Sequence, residues 1–150
     1  LIIDGKKGLF SMFSGFQIQM CQFHMTQIVS RYVTRNPKLK AARELNGLMR
    51  TLPNSYRVDF EKAYNEWKEK WRETLSRRSV LKSGKTQYID FYLTYLFTYQ
   101  RLSCEGMPNT NNKIEGTFTD LKKNLNNHSG MSIENRKRFI VGFFLALFRL

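Results

Sequence analysis

Four short stretches place carboxylate, thiol and imidazole side chains at the ends of apolar segments: Leu1-Ile2-Ile3-Asp4-Gly5, Met20-Cys21-Gln22-Phe23-His24, Asn111-Asn112-Lys113-Ile114-Glu115-Gly116 and His128-Ser129-Gly130. Asp4 closes a β-branched run and precedes Gly5. That pattern fits a buried strand whose carboxyl end presents a side chain where open α/β sheets bind ligands. A carboxylate so placed can hold a metal ion. Asp-Gly is also a common turn pair, so Asp4 alone leaves both readings open.

The segment Phe16-Gln17-Ile18-Gln19-Met20-Cys21-Gln22 alternates apolar and polar residues, which predicts a half-buried strand with Cys21 on the glutamine face. A helical pattern from Phe23 onward puts His24 in a first turn, so the thiol and the imidazole can point toward one site. Asn112, followed three residues later by Glu115 and by the apolar stripe Ile114, Phe118, Leu121 and Leu125, reads as a helix N-cap with a capping-box carboxylate. Capping does not exclude chemistry. A first-turn Glu is rigidly held and can face a neighbouring strand end.

The elements that must position these groups are mostly helical. Leu39, Ala42, Leu45, Leu48, Met49 and Leu52 form one stripe, ended by Pro53-Asn54. Tyr56, Phe60, Tyr64, Trp67, Trp71 and Leu75 form a second, with Glu66 and Lys70, and Glu73 and Arg77, as favourable i,i+4 pairs on its polar side. The two tryptophans read as core residues rather than a base-stacking platform. The stretch from Arg77 to Lys85 makes a basic linker that could touch phosphates or stay solvated. The next helix, Tyr88 to Leu102, is aromatic on nearly every side and predicts burial, or contact with a further part of the protein. A last helix begins near Ser132, with Glu134 in its first turn, and its run from Phe139 to Phe148 is too apolar to be exposed. Packing on the core is the first expectation for it, a partner interface the second.

The order Asp-Gly, Cys-x-x-His, a long helical stretch, then Asn-Asn-x-x-Glu-Gly resembles transposases of the Asp-Asp-Glu superfamily, in the Mutator-like branch and its bacterial insertion-sequence relatives. In that family the second catalytic Asp lies in an apolar-Asp-Gly segment, matching Asp4. A Cys-x-x-His follows on the next strand and helix, matching Cys21 and His24. The catalytic Glu begins a late helix after an Asn-rich turn, matching Glu115 after Pro108-Asn109-Thr110-Asn111-Asn112. Gln19-Met20-Cys21-Gln22-Phe23-His24, Arg35-Asn36-Pro37-Lys38-Leu39 and His128-Ser129-Gly130 look like the same family, so the resemblance runs nearly end to end. The family's first catalytic Asp belongs on an earlier strand, and nothing precedes Leu1, which is not a Met. The expectation is therefore the C-terminal part of a longer transposase, or a truncated reading frame. Asp59, Asp90 and Asp120 do not fill the vacancy, because each falls within a helical pattern on a solvated face.

Composition agrees. With 25 Lys plus Arg against 12 Asp plus Glu, the net charge is +13, which fits a partner with a phosphate backbone, although acidic membranes attract the same charge. No segment reaches the ~18 to 20 apolar residues needed to span a bilayer, and no charged leader precedes the first apolar residues. At 150 residues and 41% hydrophobic, the chain can bury one ordinary core. Two Cys do not suggest a disulfide scaffold and favour a reducing, intracellular setting. A zinc site from Cys21, His24, Cys104 and His128 is conceivable, but the spacing lacks the paired local knuckles of common zinc sites.

The fold expected is α+β and predominantly helical. The resemblance implies a partial ribonuclease-H-like core, two late strands plus flanking helices, over 1–35 and 111–150, with a helical insertion over 36–110. It further implies that Asp4 and Glu115, with the missing Asp, hold two Mg2+ (or Mn2+) ions for DNA strand cleavage and transfer. Cys21, His24 and Asn112 then lie near the site, and Arg31, Arg35, Arg77, Arg78, Lys122 and Lys123 are candidate DNA contacts. The partners implied are transposon ends, target DNA and further copies of the full transposase, in the cytoplasm of a prokaryotic host and not in a membrane. The rival readings are a non-catalytic basic helical nucleic-acid binder and a structural zinc module.

Overall fold

The computed structural model describes residues 1–34, 36–77 and 85–148. Strand β1 (Ile2–Ile3) leads through helix α1 (Lys7–Met12) to strand β2 (Gln19–Met20) and helix α2 (Gln22–Val33). Helices α3 (Lys40–Thr51), α4 (Arg57–Lys70), α5 (Arg72–Arg77) and α6 (Lys85–Leu96) follow, with 3-10 turns at Leu52–Asn54, Thr98–Gln100 and Leu102–Cys104. Helices α7 (Asn112–Asn127) and α8 (Ile133–Phe148) complete the described elements. The chain divides into two compact units, Leu1–Asn111 and Asn112–Leu150. Predominantly helical structure with a small sheet is as expected.

In the first unit the sheet is a single parallel pair, β1 beside β2, with Ile2 opposite Gln19 and Ile3 opposite Met20. The expected half-buried alternation over 16–22 does not hold, because Ile18, Gln19, Met20, Cys21 and Gln22 are all buried. The glutamine face is covered by α6 and the turn that follows it. Gln19 Nε2 donates to Leu96 O at 2.9 Å and to Met20 O at 2.6 Å, while Tyr99 N donates to Gln19 Oε1 at 3.0 Å. Gln22 Nε2 donates to the same Leu96 O at 2.8 Å, and Thr98 Oγ1 to Ile18 O at 2.7 Å. Buried amides are tolerable only when bonded in this way. The glutamines therefore close the last carbonyl of a helix instead of facing water.

The two predicted stripes form the rest of this core. Ala41, Ala42, Leu45 and Met49 of α3 share one buried cluster with Phe60, Tyr64 and Trp67 of α4 and with Leu52. Trp67 Nε1 donates to Ala41 O at 2.9 Å, so its polar edge is satisfied where its ring is buried. Tyr56 is the exception, exposed because it caps α4 from outside the helix. Lys70 reaches across to Glu44 Oε1 at 2.9 Å on α3, and Trp71 Nε1 to Glu44 Oε2 at 2.8 Å. Those two donors, Trp71 first, hold the Glu44 carboxyl below its usual range. Such exposed pairs contribute little, whereas each large side chain fully buried contributes about 1.5–3 kcal/mol, so the aromatic and aliphatic contacts hold α3 to α4. Helix α6 is shorter than the aromatic pattern suggested and buries one face, Ile89, Tyr92 and Leu96, while Phe91 remains exposed.

In the second unit, Ser132 caps α8 as expected, with Asn135 N donating to its Oγ at 3.3 Å. Phe118 of α7 meets Phe144 of α8 edge-on, ring centroids 5.8 Å apart. Ile133, Val141, Leu145 and Leu147 are exposed, although the run from Phe139 to Phe148 reads as too apolar for exposure. Apolar residues encircle the helix, so contact with α7 alone within this unit leaves some of them uncovered. No described helix is long and apolar enough to cross a membrane.

Candidate functional site

Asp4 follows β1 directly and is half-buried, with Lys6 N donating to its Oδ1 at 3.3 Å. The chain turns sharply here because Gly5 has φ +97°, a conformation that L side chains rarely adopt. A Cβ on Gly5 would also come within 2.8 Å of Met20 Cε and 3.2 Å of the Tyr88 hydroxyl oxygen. In position Asp4 answers to both the turn and the strand end: the carboxylate sits at the strand's carboxyl end and accepts the bond of its own turn.

Cys21 sits at the corresponding end of the neighbouring strand. Its N–H donates to Ile3 O at 2.9 Å, so the parallel register continues one step beyond β2 and sets Cys21 beside Asp4. The thiol is fully buried and donates to Asn111 Oδ1 at 3.0 Å. His24 lies in the first turn of α2, half-buried and edge-on to Phe23, ring centroids 5.8 Å apart. The strand-to-helix junction anticipated for Cys21 and His24 is therefore present.

The Asn-rich turn is tied to that junction. Gln22 N donates to Asn109 O at 3.0 Å, and Asn109 Nδ2 donates back to Gln22 Oε1 at 2.9 Å and to Pro53 O at 3.3 Å. Helix α7 begins at Asn112 itself, so Asn112 is not the flanking cap residue expected. Asn111 is the residue that flanks α7, and its side-chain oxygen is the one that meets Cys21. Glu115 lies in the first turn of α7, half-buried, in the second unit.

Of the candidate phosphate contacts, Arg31 is exposed in the last turn of α2, and Lys122 and Lys123 are exposed on α7. Arg77 ends α5. Arg35, Arg78 and most of the basic linker lie outside the described residues. Asp59, Asp90 and Asp120 are exposed helical residues, as anticipated, and Asp90 accepts from Lys68 Nζ at 3.1 Å. Cys21, His24 and Cys104 of the first unit form no three-ligand group among the described residues; Cys104 is buried in its own 3-10 turn beside Ser103.

Four residues around this junction escaped sequence reasoning. Tyr92 and Tyr88 of α6 direct their hydroxyls at Gly5 O, at 2.8 and 3.3 Å. The aromatic run of α6 was visible, but spacing along one helix says nothing about which distant carbonyl a phenol meets. Asn109 and Gln22 were equally hidden. No protein-family model, curated protein or solved structure matches the chain.

Proposed function

We propose that the chain forms part of the catalytic domain of an Asp-Asp-Glu transposase of the Mutator-like type, with a ribonuclease-H-like core, and that Asp4 and Glu115 are two of its metal-holding carboxylates. The observation that carries this reading is the parallel register that sets Asp4 and Cys21 side by side at the carboxyl ends of two strands. In open parallel sheets the residues that follow the strands' carboxyl ends line the ligand-binding crevice, and half-buried Asp4 takes that position here, with the buried Cys21 thiol behind it. The hydrogen bond from Cys21 to Asn111, four positions before Glu115, adds a second support, because it ties the Asn-rich turn to the same strand end.

The donor set fits the group. Asp4 and Glu115 offer hard carboxylate oxygens of the kind that Mg2+ and Mn2+ take. When bound, a pair of such ions activates a water or a DNA 3′-hydroxyl and neutralises charge at the phosphorus. The protein's own groups bind and orient. The Asp4 turn fixes its carboxylate, Cys21 and Asn111 hold the junction, and Arg31, Lys122 and Lys123 supply positive charge toward the phosphate backbone. The resemblance places the remaining carboxylate on a strand ahead of β1.

Electron paramagnetic resonance of Mn2+ titrated into the purified chain tests the pairing. Asp4→Asn and Glu115→Gln should each weaken Mn2+ binding by about tenfold, or about 1.4 kcal/mol, while leaving affinity for duplex DNA nearly unchanged. Expressed with the coding sequence upstream of Leu1, the same variants should lose metal-dependent DNA cleavage. If neither substitution alters Mn2+ binding or cleavage, the basic nucleic-acid binder is the better reading. Robust cutting by the 150-residue chain alone would mean that the third carboxylate lies within it.

A further inference from the structure

We propose that Tyr92 and Tyr88 are positioning residues for Asp4, acting through the single peptide group that joins Gly5 to Lys6. This deepens the metal-site reading and rests on it. A peptide group is planar, so its C=O and N–H move as one body. Here the C=O is that of Gly5, which accepts from Tyr92 at 2.8 Å and from Tyr88 at 3.3 Å. The N–H is that of Lys6, which donates to Asp4 Oδ1 at 3.3 Å. Two phenols at one edge of the peptide group therefore orient the carboxylate at the opposite edge.

The clamp is itself held. Tyr88 and Tyr92 are one helical turn apart, ring centroids 4.5 Å from each other, so both hydroxyls leave the same face of α6. Tyr92 is fully buried, with Phe10 of α1 packed edge-on at 5.0 Å, and Tyr32 of α2 lies 6.1 Å from Tyr88. Rings of α1 and α2 thus pack against the donors. Glycine at position 5 is part of the device, since its backbone conformation and lack of a Cβ let the hydroxyls reach the carbonyl. Helix α6 thereby acts on the strand end from a distant part of the chain.

The experiment compares Tyr92→Phe, Tyr88→Phe, the double variant and Tyr56→Phe, an exposed control. Amide exchange followed by NMR reads the peptide directly. Lys6 N–H should exchange at least tenfold faster in the double variant, while the amides of Leu45 and Phe60 in the core keep their protection. Mn2+ affinity should fall three- to tenfold in step, with DNA affinity unchanged and Tyr56→Phe silent in both measurements. A merely structural role would lower protection throughout the core without singling out Lys6. Should the double variant fail to fold, each single variant retains one hydroxyl, and Tyr92→Phe should show the larger Lys6 effect. Unchanged Lys6 exchange in folded variants would overturn the proposal. Faster Lys6 exchange in a chain whose Mn2+ binding ignores Asp4 would uphold the clamp and sink the metal-site reading.

Discussion

Two phenols in the core respond to pH through burial. Tyr64 and Tyr92 are both fully buried. For Tyr64, burial is the main cause of its raised ionisation, with the charge and hydrogen bond of Asp90 adding to it. For Tyr92, burial is again first, followed by its contact with Tyr88. Above about pH 10 the unfolded chain would release these two protons while the folded chain keeps them. Fewer protons are then bound in the unfolded state, so stability is at its full value below about pH 10 and falls as pH rises beyond it. Ultraviolet difference titration should show the two phenols ionising only as the fold is lost. Replacing either by Phe should remove amplitude from that late phase alone; loss of amplitude from an earlier phase would mean that the phenol is accessible in the folded state.

Between elements, the buried amides do what the strands are too short to do. Two-residue strands offer few ladder bonds, and the junction of β2 with α2 is fastened to α6 through Gln19 and Gln22 on Leu96 O, and to the Asn-rich turn through Gln22 and Asn109. Gln22→Ala removes a donor to Leu96 O and an acceptor for Asn109, and should cost about 1–3 kcal/mol, since buried polar groups left unpaired carry a desolvation penalty. Leu96 O still has Gln19 and Asn109 still has Pro53 O, which favours the lower half of that range. Urea unfolding of Gln22→Ala, Asn109→Ala and the double variant should give a coupling energy of about 0.5 kcal/mol or more. Strict additivity would mean that the bond between the two side chains contributes nothing to holding the turn.

Across the whole molecule, a net charge of +13 on 150 residues governs association more than folding. On the proposed reading the partner is DNA, and binding releases counterions. Each neutralised phosphate gives a slope of about −0.9 in log affinity against log salt, so two contacts lose about tenfold when salt rises fourfold. Fluorescence anisotropy with a labelled duplex at a series of salt concentrations should show at least that loss. Because phosphate contacts are made by basic residues and not by these two carboxylates, Asp4→Asn and Glu115→Gln should leave the slope unaltered. A slope near zero would exclude phosphate contacts as the basis of binding.

Much of this architecture was legible as local pattern. The α3 and α4 stripes, the Ser132 cap and the solvated positions of Asp59, Asp90 and Asp120 follow from periodicity and capping chemistry, which depend on neighbours a few residues away. The junction at Cys21 and His24 was legible for the same reason. What periodicity misread was the glutamine face of β2: alternation marks a residue as polar but cannot say whether water or a helix end will meet it. Likewise, a capping pattern located the start of α7 to within a residue, yet only the folded chain shows Asn111 rather than Asn112 beside a thiol 90 positions away. The register of Asp4 with Cys21 and the phenols on Gly5 belong wholly to tertiary structure, because such contacts are chosen by packing between segments whose separation along the chain leaves no periodic trace.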